Sequence, residues 1–198
     1  MKVQEIKAPN RLFFKKNDIK IFLAGSIEQG KAEDWQQKVV KYLQDEKKFK
    51  DLGQKQVIIL NPRRDSWDPN LEQNKNNKEF SQQVYWELNA LEAADIIVMY
   101  FQPGTQSPIS LLELGLFAKS KKLIVLCPEG FWRKGNVDIV SQAFQITQVS
   151  DFDNLMRQLK IKIAIVKGKK QFQNFFLLAS SFVCVLLLAY VLKCMFRL

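Results

Sequence analysis

Short apolar runs alternate with amphipathic stretches through most of the chain. The runs that predict buried strands lie at residues 19–25, 56–61, 95–101 and 122–127, with a weaker strand at 144–150. Stretches with the helical spacing of apolar residues lie at 32–49, 80–94, 108–120, 137–144 and 152–160. The pattern therefore predicts strands and helices in regular alternation.

This alternation predicts one architecture. Strands of almost continuous hydrophobic residues, separated by helices, indicate a parallel sheet covered on both faces. We expect an α/β domain at residues 19–166 with a flavodoxin-like, doubly wound sheet of four or five strands, after an N-terminal extension at 1–18. Ligands of such folds bind outside the carboxyl ends of the strands, where the strand order reverses. That rule indicates three loops, at 25–31, 61–70 and 101–108.

The C-terminal segment has a different pattern. Residues 175–192 carry no charge, and at about 1.5 Å per residue they would form a helix of about 27 Å, close to the thickness of a bilayer core. A basic hinge at 167–174 precedes them and a tail at 193–198 follows. We expect a single-pass C-terminal membrane anchor, with the domain on the cytosolic or matrix side. The organelle stays open, and the mitochondrial inner membrane is one candidate.

The composition limits the chemistry. The chain of 198 residues contains no histidine, which excludes histidine-dependent nucleophile pairs and histidine metal sites. Of its three cysteines only Cys127 lies outside the predicted anchor and tail at 175–198, so we expect no disulfide framework and a reducing compartment. Cys127 follows an apolar run, as a buried small hydrophobe would. We expect no metal and no cofactor, and carboxylates, Tyr, Lys or Cys must carry any acid–base or covalent step.

The formal net charge of +10 does not by itself identify a partner. The lysines are scattered among acidic residues, with no basic stripe interleaved with aromatics, so nucleic-acid binding is not favoured. A membrane with anionic lipids, or an acidic partner, accounts for the charge equally well.

Glu113 is a carboxylate inside the apolar run "SPISLLELGLFA" at residues 107–118. Ser110 and Glu113 have the spacing of a capping box, in which the glutamate reaches back to the cap backbone N–H. Alternatively, Ser107 caps a helix that begins at Pro108. Both interpretations put Glu113 in the first turn, where a negative charge stabilises a helix by about 0.3–1 kcal/mol. Taken alone, the segment favours a cap over catalysis.

Glu87 falls on the apolar stripe of its predicted helix, among Phe80, Val84, Leu91 and Ala94. A carboxylate on such a stripe is costly unless it is protonated or paired. Its pKa should therefore be raised, which is the property that a general acid requires. The alternative is that this edge of the stripe reaches solvent.

Glu87 and Glu113 together would form a carboxylate pair. Such pairs cleave glycosidic bonds, with one carboxylate as nucleophile and the other handling the proton of the leaving group. In a chain without histidine, this pair is the best catalytic constellation that the sequence offers.

The loop at 25–31 joins the first predicted strand to the first predicted helix. Gly25 and Gly30 permit close backbone approach, Ser26 offers a hydroxyl, and the following helix N-terminus favours an anion. The loop matches neither a Walker A motif nor the dinucleotide fingerprint. The functional hypothesis is that this loop forms a pocket for one phosphate or one ribose. The alternative is that the glycines serve only a tight turn between strand and helix.

The loop at 61–70 offers a second set of polar groups. Arg63 and Arg64 could clamp an anion, and Trp67 could stack on a base. An ordinary polar loop with two prolines is the alternative.

Five motifs together resemble the nucleoside 2-deoxyribosyltransferase-like proteins, a superfamily that includes the 2′-deoxynucleoside 5′-phosphate N-glycosidases. They are "IFLAGSIEQG", "NPRRDSWD", "QVYWELNALEAADIIVMYF", "PISLLELGLFA" and "FWRKGNV". The resemblance covers residue 19 to about residue 149. The resemblance implies a flavodoxin-like domain, usually oligomeric, that breaks the N-glycosidic bond of deoxynucleosides or their monophosphates.

The resemblance also implies roles for single residues. Glu113 matches the nucleophile, Glu87 the acid of the preceding helix, where the family often has aspartate, and Ser26 the loop serine. Ser107 matches a serine of the monophosphate enzymes, where transferases have an acid. Asn136 matches an asparagine that some members lend to a neighbouring subunit. The remaining candidate substrate-binding residues are Phe22, Gly25, Gly30, Arg64, Asp65 and Trp67.

The sequence departs from the family pattern at several points. Phe22 replaces an aromatic hydroxyl that touches the nucleophile in transferases. Glu28 stands where monophosphate enzymes often have a basic residue and would repel phosphate, although Lys31 could compensate. The predicted membrane anchor is foreign to the ordinary soluble enzymes.

Three hypotheses about function follow. The first is a membrane-anchored N-glycosidase or 2-deoxyribosyltransferase that works through a covalent glutamyl-glycosyl intermediate, either as a homo-oligomer or within a larger membrane complex. The second is a catalytically silent accessory subunit of a membrane protein complex. The third is a nucleotide sensor that binds without turnover.

Overall fold

The computed structural model describes residues 2–30, 32–45, 49, 56–66, 68 and 70–195, with side chains for all of these except 29 and 176–195. The chain divides into two units, Met1–Ile163 and Ala164–Leu198. The first unit holds the sheet and the candidate site.

Strands and helices alternate as the hydrophobic pattern predicts. The strands are β1 Lys2–Lys7, β2 Ile19–Gly25, β3 Gln56–Asn61, β4 Ile96–Tyr100, β5 Leu123–Leu126 and β6 Thr147–Val149. The helices are α1 Trp35–Gln44, α2 Lys78–Ala93, α3 Pro108–Phe117, α4 Lys134–Ala143 and α5 Phe152–Met195. Helix α1 begins later than predicted because Asp34 caps it, accepting a hydrogen bond from the Gln37 backbone N–H.

The sheet is parallel throughout, in the order β1-β3-β2-β4-β5-β6. Strand β2 pairs with β3 on one side and with β4 on the other. The chain therefore moves outward from β2 to β3 and then crosses back to β4, which reverses the strand order. This confirms the flavodoxin-like α/β fold, and the loops after β2 and β4 flank the reversal, where ligands of such folds bind.

The sheet has six strands rather than the predicted four or five, because β1 joins it. Strand β1 lies in the predicted N-terminal extension and pairs in register with β3, from Lys2 opposite Gln56 to Lys7 opposite Asn61. Only Ile6 of this strand is buried. An edge strand with so little apolar surface gives no hydrophobic run, which is why the sequence pattern does not reveal it.

The two faces of the sheet pack against different helices. Alternate residues of β2 point to opposite faces, and Phe22 and Ala24 belong to the cluster that α2, α3 and α4 cover. On the other face Trp35 of α1 packs edge-on against Tyr100 of β4, with ring centroids 5.7 Å apart. Both predicted glutamates belong to helices of the first face.

The predicted membrane anchor lies outside the described side chains, apart from Phe175. Helix α5 extends through this segment, well beyond the predicted end at residue 160. In the part of the chain that the structure describes, no helix is both long enough and apolar enough to cross a membrane.

Candidate functional site

Glu113 is a buried residue of the second turn of α3. The helix begins at Pro108, with Ser107 as its N-cap residue, and its first turn contains no acidic residue. The predicted capping box of Ser110 and Glu113 is therefore wrong. Ser107 is the N-cap residue, as the alternative predicted, but the helix start at Pro108 places Glu113 beyond the first turn. Only 7% of Glu113 is exposed. Helix capping does not explain why a carboxylate occupies this position.

The surroundings of Glu113 favour its protonated form. The pKa of Glu113 is raised to about 8. Burial is the larger cause, and the negative charge of Glu87 is the smaller one. The two carboxyl groups are thus within electrostatic range of each other, although they belong to different helices.

Glu87 lies on α2 at the edge of the buried face and is partly exposed. Its Oε1 accepts a hydrogen bond of 2.7 Å from Gln83 Nε2, one turn earlier. Burial raises the pKa of Glu87 to about 7, while the Gln83 hydrogen bond and the positive charge of Arg64 oppose that rise. Near neutral pH both carboxyl groups are therefore partly protonated.

Two buried polar atoms beside Glu87 have no hydrogen-bond partner among the described residues, Gln83 Oε1 and Arg64 Nε. Gln83 Nε2 is held by the Pro62 carbonyl oxygen at 3.0 Å as well as by Glu87, so the amide is fixed in orientation. The Arg64 side chain is 9% exposed and pairs with Glu79. Buried polar atoms normally have partners, so a polar ligand beside Glu87 would complete this arrangement.

The loops after β2 and β4 are joined by three side-chain hydroxyls, the hydroxyl cluster of Ser26, Thr105 and Ser107. Ser26 Oγ lies 2.7 Å from Thr105 Oγ1 and 2.7 Å from Ser107 Oγ. It also accepts a hydrogen bond of 2.9 Å from the Gln102 backbone N–H. These contacts fill the one donor and two acceptor sites of a serine hydroxyl, so in this arrangement Ser26 binds protein atoms.

Glu28 makes a second connection between the same loops. Its Oε1 accepts hydrogen bonds from the backbone N–H groups of Gln106, at 2.9 Å, and Ser107, at 2.8 Å. These groups immediately precede Pro108, the first residue of α3. The carboxylate of Glu28 therefore occupies the position at this helix start that an anion would favour.

Gly25 is required by a close backbone approach. Its φ is +127°, and a Cβ at this position would lie 2.2 Å from the Tyr100 carbonyl oxygen. The glycine lets the chain turn so that the Ser26 backbone N–H donates to the same Tyr100 oxygen at 2.9 Å. Gly30, with φ +87°, ends a short 3₁₀ helix at Glu28–Gly30. The glycines shape the loop that positions Ser26 and Glu28.

Phe22 is 1% exposed and packs against Trp86 of α2, with ring centroids 6.5 Å apart. Both side chains belong to the hydrophobic cluster under α2, α3 and α4. At this position the chain has an apolar contact where transferases have a hydroxyl.

The loop after β3 uses its arginines within the protein. Arg63 donates to the carbonyl oxygens of Gly30 and Ala32, each at 2.9 Å, and so fixes the loop after β2. Asp65 is exposed and pairs with Lys7 of β1. The predicted anion clamp is thus absent for Arg63, whose guanidinium is committed to backbone acceptors. Trp67 and Lys31 lie outside the described residues.

Asn136 is exposed on α4. None of the hydrogen bonds described for the first unit connects it to the two glutamates or to the hydroxyl cluster. Its predicted role at a neighbouring subunit's site stays a prediction.

Sequence reasoning missed Gln83, Gln102 and Thr105. Gln83 stands one turn before Glu87, the spacing of side-chain pairs on one helix face, so that signal was available. Thr105 and Gln102 contact Ser26 from more than 70 positions away, and no local pattern indicates such a contact.

Cys127 is buried, as expected for a small hydrophobe. Burial, with the nearby charge of Asp138, raises the pKa of this thiol to about 12, so the thiol stays protonated. Among the described residues there is no group of three or more His, Cys, Asp or Glu side chains that could hold a metal ion.

A family model described as "Nucleoside 2-deoxyribosyltransferase like" matches residues 18–131. This range is more than half of the chain and contains every candidate site residue except Asn136. No curated protein matches the chain.

Proposed function

Because the chain belongs to the nucleoside 2-deoxyribosyltransferase-like family, we propose that it cleaves the N-glycosidic bond of deoxynucleosides or their 5′-monophosphates, by hydrolysis or by transfer to a second base. The observation that carries the proposal is the pair of carboxyl groups on α2 and α3, close enough for the charge of Glu87 to raise the pKa of Glu113. Neither carboxylate is neutralised by a direct salt bridge among the described residues.

Glu113 is the nucleophile in this proposal. Its carboxylate attacks the anomeric carbon, the bond from that carbon to the base nitrogen breaks, and the bonding electrons leave with the base. The product is a glycosyl ester of Glu113. Burial leaves the carboxylate poorly solvated and therefore reactive once it is ionised.

Glu87 handles the proton. The reactive form has Glu113 ionised and Glu87 protonated, and it is the minor singly protonated form because the pKa of Glu113, about 8, exceeds that of Glu87, about 7. In this form Glu87 donates a proton to the departing base and then accepts one from the water that attacks the ester. Hydrolysis releases deoxyribose, or deoxyribose 5-phosphate from a monophosphate, and restores the Glu113 carboxylate. If a second base attacks in place of water, the same ester gives transfer.

The unpartnered atoms beside Glu87 support a polar leaving group. Gln83 Oε1 can accept a hydrogen bond and Arg64 Nε can donate one. A nucleobase carries both donors and acceptors on its edge, so it can satisfy both atoms when bound.

The decisive experiment separates binding from covalent catalysis. The full chain in mild detergent is incubated with a panel of deoxynucleosides and monophosphates, and released base is measured by chromatography. Acid-quenched samples are then analysed by mass spectrometry, and we expect one deoxyribosyl group on the peptide that contains Glu113. Base release without any adduct would contradict the covalent mechanism, and no release from any substrate would favour the silent accessory subunit or the sensor.

We also propose that the chain is membrane-anchored through residues 175–192 and self-associates. The uncharged sequence of that segment supports the anchor. Exposed apolar residues of α2 and α3 support self-association, since such patches mark interfaces; they are Tyr85, Leu88, Ile109, Leu112 and Leu116.

One preparation tests both statements. Expressed in cells, the full chain should stay with the membrane fraction after an alkaline carbonate wash, whereas a chain ending at Lys170 should be released. In detergent, light scattering should give the protein mass of a dimer or larger. Release of the full chain by the wash would contradict the anchor, and a monomer mass would contradict self-association.

A further inference from the structure

We propose that the edge of the sheet at which the strands begin binds a membrane surface of anionic phospholipids. Because the strands are parallel, this edge lies opposite the loops that hold the candidate site. We call it the lysine edge, and its lysines are Lys15, Lys20, Lys119, Lys121, Lys122 and Lys162. The proposal goes beyond the function proposed above, and it requires neither catalysis nor the anchor at 175–192.

The contacts of three lysines place them on this edge. Lys20 is the second residue of β2, and its Nζ lies 3.2 Å from Oδ2 of Asp95, which immediately precedes β4. Lys122 immediately precedes β5, and its Nζ donates at 2.8 Å to a backbone carbonyl oxygen near the end of α2. Lys162 of α5 donates at 2.9 Å to the carbonyl oxygen of Leu123, the first residue of β5. These strands are neighbours in the sheet, so the lysines share one surface.

Three of the lysines keep their positive charge available for an anion. Lys119 and Lys121 are exposed. The acceptors of Lys121 and Lys122 are neutral, since Lys121 Nζ donates to Gln145 Oε1 at 3.4 Å and Lys122 Nζ to a backbone carbonyl. None of the three forms an ion pair with a residue that the structure describes. Their charge is therefore not neutralised by these contacts.

The acidic residues among these lysines are fewer. They are Asp18, Glu92 and Asp95, and Asp95 already pairs with Lys20. The lysine edge therefore has an excess of positive charge. The loop after β2, at the opposite edge, instead contains Glu28, Glu33 and Asp34. An anionic surface is attracted to the first edge and is opposed by these carboxylates at the second.

An exposed aromatic side chain accompanies the lysines. Phe13 is 70% exposed and lies in the segment "RLFFKK" at residues 11–16. The ring of the next residue, Phe14, has its centroid 5.4 Å from Lys20 Nζ, which places this segment at the lysine edge. Aromatic side chains among basic ones are typical of surfaces that enter the headgroup region of a bilayer. Phe13 thus favours a lipid surface over a purely ionic partner.

The course of the chain also favours lipid. Helix α5 reaches the start of β5 at Lys162, and the first unit ends at the next residue, Ile163. The chain therefore leaves this unit at the lysine edge. The sequence that follows contains Lys167, Lys169 and Lys170 and then the uncharged segment at 175–192. Basic residues next to an apolar segment are attracted to anionic lipids.

Hydrogen–deuterium exchange on the full chain tests the proposal. The chain is combined with nanodiscs of phosphatidylcholine alone, or of an equal mixture of phosphatidylcholine and phosphatidylserine. In the anionic discs we expect the backbone amides of residues 11–16 and 117–123 to exchange at least about fivefold more slowly, the effect of one lysine near an anionic bilayer. Molar salt should remove the difference, because it screens the charges.

The double variant Lys119→Gln with Lys121→Gln should bring exchange in the anionic discs to within about twofold of the rate in neutral discs. The matched control is Lys75→Gln with Lys78→Gln. These two lysines are exposed at the start of α2, at the opposite edge, and their removal changes the net charge by the same amount. The control should keep the full protection of the wild-type chain.

Equal exchange of the wild-type chain in the two kinds of disc would overturn the proposal, and this comparison needs no variant to fold. Loss of protection in the control double variant would also overturn it, because net charge and not the lysine edge would then be responsible. A single-stranded DNA oligomer added to the neutral discs is the second probe. Protection of the same peptides by DNA and not by anionic lipid would assign the edge to nucleic acid instead.

The outcomes also separate lipid binding by the lysine edge from the proposed anchor. Protection in anionic discs of a chain that the carbonate wash releases would leave the lysine edge standing and end the anchor. Resistance to the wash without such protection would do the reverse. Neither result depends on base release, so the enzymatic proposal is tested separately.

Discussion

Glu113→Gln should lower the rate of base release by at least about a thousandfold, which is the size of effect expected when a covalent nucleophile is removed. Glutamine fills the same space but cannot form the glycosyl ester. Because the substitution removes a step and leaves the shape of the site, kcat should fall while substrate affinity changes little. The measurement is steady-state base release by chromatography, with affinity from calorimetry.

Glu92→Gln is the matched control for this experiment. Glu92 is an exposed carboxylate of α2, and its removal should leave base release unchanged. If Glu113→Gln releases base at the wild-type rate, Glu113 is not the nucleophile, whatever the control shows.

Stability should fall as the pH rises from about 4.5 to about 8. The pKa of Glu113 rises from 4.5 to about 8 in the folded chain, so within this window the folded state binds more protons than the unfolded state. The free energy of unfolding then decreases with pH. At about 1.4 kcal/mol per pKa unit, Glu113 accounts for a loss of about 5 kcal/mol, and Glu87 adds to it between pH 4.5 and about 7.

Urea unfolding at a series of pH values measures this dependence. Glu113→Gln should match the wild-type chain near pH 4.5 and exceed its stability by several kcal/mol at pH 8.5, because glutamine has no charge to bury. Glu92→Gln should keep the wild-type slope. If Glu113→Gln and the wild-type chain have parallel profiles, Glu113 is not buried as the structure has it.

This stability cost explains how a carboxylate can be recognised as functional. The negative charge of a capping carboxylate would stabilise the helix, whereas the charge of Glu113 destabilises the folded state above neutral pH. From sequence, Glu113 could be either a capping residue or a functional residue, because "SPISLLE" fits two kinds of helix cap. The choice depended on where α3 begins, and element boundaries are the least certain part of any sequence pattern.

The second loop shows the opposite case. From sequence, both Arg63 and Arg64 could clamp an anion, and Arg64 was the candidate substrate-binding residue. Arg63 binds the carbonyl oxygens of Gly30 and Ala32, while Arg64 lies near Glu87 and influences its pKa. Neighbours in sequence thus contribute to different parts of the molecule, because successive residues of an extended loop point in different directions.

The sequence by itself determined β2 to β6, the helices between them, the parallel sheet and the two glutamates. These follow from local periodicity, since a buried strand or an amphipathic helix needs apolar residues at fixed spacing. The hydrophobic pattern did not predict strand β1, because an edge strand needs few apolar residues.

Only the tertiary structure decided how the loops meet. Glu28 reaches Ser107 across 79 positions and Ser26 reaches Thr105 across 79. Such contacts result from the crossover that places β2 beside β4. Hydrogen bonds between side chains so far apart leave no periodic trace in a sequence, because each needs only one polar residue at the right point in space.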